Sequence, residues 1–233
     1  MIDWHSHVLP LMDDGSKSVD ESLSILKMQS EQGVNTVIAT PHFYANDESV
    51  DKFLERRRAS CESLTGFLSE DLPSVKLGAE VAYYVGISRL ATLSNLCIEG
   101  TRLLLLEMPF SKWTDYIIKE ICELALQGRV IIILAHIERY LGLQGIKVFE
   151  ELLEYGVIMQ VNANFFCRFS TKRTALKLLQ RGTVRLIGSD AHNLLTRPPK
   201  LLDAYGVIEK KLGRDFIWDI DEYGKYLLEK YSI

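Results

Sequence analysis

The sequence predicts an α/β fold in which parallel strands alternate with helices and close into a barrel of seven strands. At four junctions a helical stretch ends on a glycine and an apolar run begins directly after it: Gly33, Gly128, Gly156 and Gly182. Glycine is the usual left-handed stop of a helix. The apolar runs are rich in Val, Ile and Leu without strict alternation, as buried parallel strands are. Because no topological break interrupts this order, a closed barrel is favoured over an open doubly wound sheet.

The individual elements follow from local signals. The seven predicted strands lie near residues 1–5, 35–40, 75–81, 102–107, 130–135, 157–162 and 184–189. A capping box at Ser18–Glu21 begins the first helix. Ser111 is the predicted start of a helix on which Ile117, Ile121, Leu124 and Ala125 share one apolar face. The remaining predicted helices cover residues 47–70, 199–213 and 219–231.

Composition limits the class of protein. A chain of 233 residues with 47% hydrophobic residues suits one domain, and we predict a single domain over 1–233. The net charge of −4 and the lack of a basic stripe argue against nucleic-acid binding. No apolar run is long enough to cross a bilayer, and the N-terminus lacks a signal-peptide pattern, which predicts a cytoplasmic protein. The four scattered cysteines predict reduced thiols, and none has an arginine at the spacing of a thiol phosphatase loop.

Most residues that can carry chemistry stand at the ends of predicted strands. In chain order these are His5, His7, His42, Glu80, Glu107, His136, Asp190 and His192. The carboxyl ends of strands in a parallel barrel meet at one face, where active sites collect. A single histidine there is more often structural, and a single carboxylate can simply pair with Lys or Arg. All five histidines of the chain fall in this set, however, and buried carboxylates are costly unless they are paired or metal-bound. The coincidence predicts a metal cluster.

The motifs resemble a known family. They are MIDWHSHVLPLMDDG, ATPHF, GAEV, LLLEMP, AHIERY and GSDAHNLLTRPP. In order and spacing they resemble those of the PHP (polymerase and histidinol phosphatase) superfamily, and within it the capsule-type branch of bacterial manganese-dependent tyrosine-protein phosphatases. The resemblance runs from residue 1 to about residue 200. It implies a distorted TIM-like (β/α)7 barrel of the PHP type and a phosphoric monoester hydrolase.

The resemblance also implies a trinuclear metal site. One metal would be held by His5, His7, Glu80 and Asp190, a second by Glu80, Glu107 and His136, and a third by Asp14, His42 and His192. The choice of Asp14 over the adjacent Asp13 rests on the resemblance alone. Four carboxylates leave a surplus of about two positive charges on three divalent ions, which suits a hydroxide and a phosphate monoester. The nitrogen and oxygen ligands allow Mn, Fe or Zn, and the family likeness favours Mn.

Two arginines are candidates for phosphate binding. Arg139 and Arg197 match family arginines with this role, and a guanidinium offers a two-point contact to phosphate. The hypothesis is that a metal-activated hydroxide attacks phosphorus while these arginines clamp the phosphate. The competing interpretations are that Arg139 pairs with Glu138 and that Arg197 is a solvated loop charge. No general acid is evident from the sequence.

The predicted substrate is phosphotyrosine in the tail of an autophosphorylated bacterial tyrosine kinase, with a role in capsular or exopolysaccharide biosynthesis, as the resemblance implies. Phe43, Tyr44 and Phe110 either form a rim for an aromatic substrate or pack beneath the loops. Two rival functions use the same metals: a histidinol-phosphate-type small-molecule phosphatase and a PHP-type nuclease. The sequence does not predict the oligomeric state.

Overall fold

The computed structural model describes residues 1–233, which form nine strand segments and eight α-helices. The strands are β1 (Ile2–Ser6), β2 (Thr36–Ala39), β3 (His42–Phe43), β4 (Ser74–Leu77), β5 (Glu80–Ala82), β6 (Leu103–Glu107), β7 (Ile131–Leu134), β8 (Ile158–Asn162) and β9 (Leu186–Gly188). The helices are α1 (Val19–Glu31), α2 (Val50–Thr65), α3 (Asp115–Leu126), α4 (Ile146–Glu154), α5 (Asn164–Cys167), α6 (Phe169–Gln180), α7 (Leu201–Leu212) and α8 (Arg214–Lys230).

The strands form one distorted barrel. All named strand pairs are parallel, in the orders β1-β2-β4 and β3-β5-β6-β7-β8-β9. The ring closes between the last strand and the first, because the Asp190 amide donates to the His5 carbonyl over 2.7 Å and Ser6 bridges Ala191. The predicted α/β barrel is therefore confirmed, with each of the seven predicted strands in its place.

The second and third strands of the ring each have a break. The strand predicted at 35–40 is present as β2, with β3 following it beyond Pro41, whereas the strand predicted at 75–81 is divided into β4 and β5. Pro41 has no amide hydrogen to donate to a ladder, which explains the first break. Hydrogen bonds still span the gap, from the Gly78 amide to the Ala39 carbonyl (2.8 Å) and from the Glu80 amide to the Pro41 carbonyl (3.0 Å). The breaks re-aim the chain just before His42 and Glu80.

The four glycine junctions have the predicted left-handed backbone. Their φ angles are +82° at Gly33, +66° at Gly128, +80° at Gly156 and +70° at Gly182. Each glycine ends a helix and allows the chain to turn directly into the next buried strand.

Helix starts were predicted less accurately. Ser18 caps α1 as expected, accepting from the Glu21 amide over 3.1 Å. The start at Ser111 was wrong: α3 is capped by Thr114. The side chain of Gln144 binds the Ser111 carbonyl and the Trp113 amide, which holds this segment outside the helix. The last helix begins at Arg214, not 219, directly after Gly213 at φ +99°.

Apolar side chains fill the barrel and coat its outside. A large cluster lies between the strands and the helices, and a smaller cluster lies inside the ring. The inner cluster includes Ile2, Trp4, Leu103, Leu105 and, from α8, Leu227. Because Leu227 packs with residues from the start of the strands, α8 closes the end of the barrel opposite the predicted metal ligands. No helix combines the length and the apolar character needed to cross a bilayer.

Candidate metal centre

The two histidines of the first strand point into the barrel together. The pairing of β1 with β2 shifts register between Asp3 and Ser6, and the side chains of both these residues contact Gln29 of α1. His5 and His7 face the other way. Their Nε2 atoms lie 3.1 Å apart, and each lies 3.2 Å from Oε2 of Glu80. Two buried imidazole nitrogens and a carboxylate oxygen thus share one small volume.

Glu80 is the centre of the site. Beyond His5 and His7, its Oε2 lies 3.1 Å from Nδ1 of His42 and its Oε1 lies 2.7 Å from Nε2 of His136. Burial alone would raise the pKa of this carboxyl. The charge on His5 and hydrogen bonds from the surrounding imidazoles hold the pKa well below its usual range. A carboxylate that touches four imidazoles is placed to bridge cations, each with its own histidines.

His136 and Glu107 form a second group beside Glu80. Nε2 of His136 is 3.3 Å from Oε1 of Glu107, while Oε2 of Glu107 is 4.0 Å from His42. His136 has φ +32°, in the left-handed region that disfavours residues other than glycine. This strained backbone turns the imidazole toward the carboxylates directly after β7, as is common at functional sites.

A third group lies at the mouth of the site. Oδ1 of Asp14 is 3.2 Å from Nε2 of His192 and 3.6 Å from Nε2 of His42. The adjacent Asp13 has a different role: its carboxylate accepts from His7 Nδ1 (2.7 Å), the His42 amide (2.8 Å) and the Gly15 amide (2.9 Å). Asp13 therefore orients two imidazole-bearing segments, whereas Asp14, 64% exposed, faces the open site.

Asp190 joins the histidines to both predicted arginines. Its inner Oδ1 lies within 3.7 Å of nitrogens on His5, His7 and His192. Its outer Oδ2 accepts from Arg139 and, over 2.7 Å, from Arg197. Arg139 therefore pairs with Asp190, and Arg197 contacts the same carboxylate, so both guanidinium groups lie beside the predicted ligands. Asp190 also has a left-handed backbone, at φ +53°.

The donor set fits divalent metal ions. Four subsets, each with its donor atoms within 4.8 Å of one another, bring together His7, Asp14, His42 and His192; His5, His7 and Asp190; His5, Glu80 and His136; and His42, Glu80 and Glu107. Four of the buried imidazole nitrogens have no hydrogen-bond partner: Nδ1 of His5, His42 and His136, and Nε2 of His192. So many buried carboxylates and imidazoles are costly side by side unless cations are shared among them.

Several residues that shape the site were missed at the sequence level. In β8, Gln160 accepts from the His136 amide over 2.6 Å, and Asn162 donates to Asp190 over 2.8 Å. Asp3 accepts from the amides of His5 and Ser189, joining the first strand to the last. The signal was present for β8, because polar residues at alternate positions of a fully buried strand point into the barrel.

Of the three aromatic residues near the ligands, two line the site. Phe43 is buried and packs edge-on against Phe53, so it belongs to the core. Tyr44 is 42% exposed and stacks on His42, while Phe110 is 56% exposed and stacks on His136. An exposed ring therefore covers an imidazole on either side of Glu80.

A seven-stranded parallel barrel with imidazoles, carboxylates and guanidinium groups converging at the carboxyl ends of its strands defines a metal-dependent hydrolase of the PHP type. The chain belongs to the capsular polysaccharide synthesis family CpsB/CapC, whose family model matches residues 1–222.

Similar proteins carry one named activity. Tyrosine-protein phosphatase CpsB of Streptococcus pneumoniae is 34% identical over 232 residues, covering 91% of each chain. Tyrosine-protein phosphatase YwqE of Bacillus subtilis is 29% identical over 239 residues, covering 100% of this chain and 93% of its own. A crystal structure from work on YwqE and S. pneumoniae CpsB, described as metal-dependent tyrosine phosphatases, matches with a TM-score of 0.80 at 26% identity, over 100% of this chain and 96% of that chain.

Proposed function

We propose that this chain is a metal-dependent protein-tyrosine phosphatase that hydrolyses phosphotyrosine on a bacterial tyrosine kinase and thereby regulates capsular or exopolysaccharide synthesis. The observation that carries the proposal is the convergence of five imidazoles and four carboxylates, with two guanidinium groups beside them, at one face of the barrel. The names of the relatives support the same activity. We also propose that residues 1–233 act as one PHP phosphatase domain, since all strands belong to one barrel.

The metal ligands we propose are His5, His7, Asp14, His42, Glu80, Glu107, His136, Asp190 and His192. The close subsets among these side chains support three divalent ions, with Glu80 shared. Nitrogen and oxygen donors without a thiolate suit Mn, Fe or Zn, and we favour Mn. When bound, such ions make water acidic enough to act as a nucleophile near neutral pH.

Arg139 and Arg197 bind and orient the phosphate in this proposal. Both guanidinium groups end at the same carboxylate oxygen of Asp190, so their remaining N–H donors lie beside the predicted ligands. Asn162 donates to the same oxygen and fixes the orientation of the carboxylate. Planar donors placed in this way stabilise the charge on the equatorial oxygens during phosphoryl transfer.

Tyr44 and Phe110 give a preference for an aromatic substrate. The two exposed rings lie over His42 and His136, where the ring of a phosphotyrosine can pack against an apolar face. The phenolate leaving group has a pKa near 10 and needs less protonation than an alkoxide. An open site of this kind suits a residue in a flexible kinase tail. The cytoplasmic location expected from the sequence stays a prediction.

Turnover of three substrates by the purified chain tests the proposal. We expect phosphotyrosine peptide to be hydrolysed with Mn²⁺ at least tenfold faster than histidinol phosphate, and a single-stranded oligonucleotide to stay intact. Chelation should abolish the activity, and Mn²⁺ should restore it. A Y44A/F110A double variant should lose much of the preference for aryl over alkyl phosphates, whereas F43L, in the core, should keep it. Faster hydrolysis of histidinol phosphate or of the oligonucleotide would refute the proposal in favour of that rival.

A further inference from the structure

A cavity opens directly beside the metal centre. It has a volume of about 460 Å³, and Asp190, Arg139 and Arg197 form part of its wall. It continues to Asn164 and Arg168, which contact none of the predicted ligands. A ligand whose phosphate is held by the two site arginines would therefore have an open path into this cavity.

The cavity holds a cation that is not otherwise engaged. Arg139 and Arg197 both pair with Asp190, but Arg168 forms no salt bridge, and its guanidinium makes no hydrogen bond with the rest of the chain. Three arginines line the cavity but only two carboxyl groups do, those of Asp190 and Glu138. The uncommitted positive charge favours an anionic ligand.

Two further features suit a peptide. The Asn164 side chain makes no hydrogen bond within the chain and lines the cavity, so it can donate to a carboxylate or accept from a peptide amide. Phe169 and Leu195 are 98% and 90% exposed and adjoin the lining residues Arg168 and Thr196. A bound peptide that covered these two side chains would gain from removing their apolar surface from water.

We propose that this cavity is a subsite for an acidic side chain of the substrate, with the carboxylate of a nearby Asp or Glu on Arg168 and Asn164. The inference rests on the proposed phosphotyrosine phosphatase function and adds a sequence preference to it. Since an extended residue spans roughly 3.3 Å, a cavity that continues from the phosphate arginines is within reach of residues one to three positions from the phosphotyrosine. The chain thereby selects tyrosines that lie in acidic sequence.

Matched phosphotyrosine peptides test the subsite. One glutamate is placed at each of the three positions before and after the phosphotyrosine, and each peptide is compared with its glutamine counterpart. At one or more positions the native chain should show a kcat/KM for the glutamate peptide about fivefold higher, the scale of an exposed ion pair. Arg168→Ala should bring this ratio to about one, and Arg168→Glu should bring it below one. Arg173→Ala, which removes an exposed arginine further along α6, should leave the ratio unchanged.

Two controls separate the subsite from the activity itself. Phenyl phosphate carries no carboxylate that could bind Arg168, so all variants should hydrolyse it at the native rate; no hydrolysis by the native chain would overturn the phosphatase function. The affinity for the same peptides, made with a non-hydrolysable phosphonate, measures the effect of the subsite without turnover. The preference for glutamate over glutamine should weaken as added salt screens the charges. No glutamate preference at any position, or one that survives Arg168→Ala, would overturn the subsite.

Discussion

At the scale of single residues, the closing seam of the barrel depends on a glycine. A Cβ at Gly188 would lie 2.5 Å from Cβ of His5 and 2.8 Å from Nε2 of Gln160. Neither neighbour can give way freely, because His5 is held between Asp3 and Glu80 and Gln160 holds the His136 amide. Gly188 therefore sets the distance between the first and the last strand, at the level of the predicted ligands.

We expect Gly188→Ala to lower the free energy of unfolding by about 1–3 kcal/mol, the usual cost of overpacking. Phosphatase activity should fall even under conditions in which the variant remains folded, because His5 must shift. Urea unfolding and turnover of phosphotyrosine peptide measure the two effects. Gly66→Ala is the matched control, because no atom lies within 4 Å of its added Cβ and its φ is −70°. Equal behaviour of the two variants would contradict this role for Gly188.

The positions of the imidazoles and carboxylates at strand ends were enough to predict that they meet. The carboxyl ends of parallel strands converge at one face of a barrel, whatever path the loops take. The difference between Asp13 and Asp14 could not be predicted in this way. It depends on the path of one loop, which turns the first carboxylate back to His7 and leaves the second facing His192. The subsite arginine, Arg168, was also missed, since it lies between α5 and α6, after a strand, β8, that bears no predicted ligand.

At the scale of elements, glycine stabilises the chain at a left-handed turn and destabilises it within a helix. Gly156 has φ +80° between α4 and β8, whereas Gly206 lies on the exposed face of α7 with no atom near its added Cβ. We expect Gly156→Ala to destabilise the chain by about 1 kcal/mol, because alanine disfavours the left-handed region. Gly206→Ala should stabilise it by about 0.5–1 kcal/mol through helix propensity. Chemical denaturation of both variants tests the pair, and a shift of the same sign in both would refute it.

Element ends were predictable where a local rule had no competitor. Positive φ at a glycine ends a helix by itself, so the four junctions were correct. Ser111 and Thr114 both satisfy the rule for a helix cap, and the choice between them is made by Gln144, which lies about 30 residues away in the sequence. The break at Pro41 follows from its missing amide hydrogen, whereas the break at Gly78 has no comparable local signal in the sequence.

At the scale of the whole molecule, the metal centre and the fold share their contacts. The proposed ligands lie in or after β1, β3, β5, β6, β7 and β9. Strand β8 bears none, but it supplies Gln160 and Asn162, which orient two of them. Cations bound there would cross-link strands that are far apart in sequence. The opposite end of the barrel is closed by Leu227 of α8. Apolar packing therefore stabilises that end, whereas ionic contacts hold together the end that bears the ligands.

We therefore expect the stability of the chain to depend on metal. A ligand that binds only the folded state at a concentration of 100 times its Kd adds about 2.7 kcal/mol. For a chain of this size each kcal/mol raises Tm by roughly 2–4 °C. Thermal unfolding after chelation and again with Mn²⁺ measures the shift. Glu80→Gln, at the centre of the ligand set, should remove most of it, while Arg168→Ala should retain it in full. If Mn²⁺ raised the Tm of both variants equally, or of neither, the stability of the barrel would not depend on cations at Glu80.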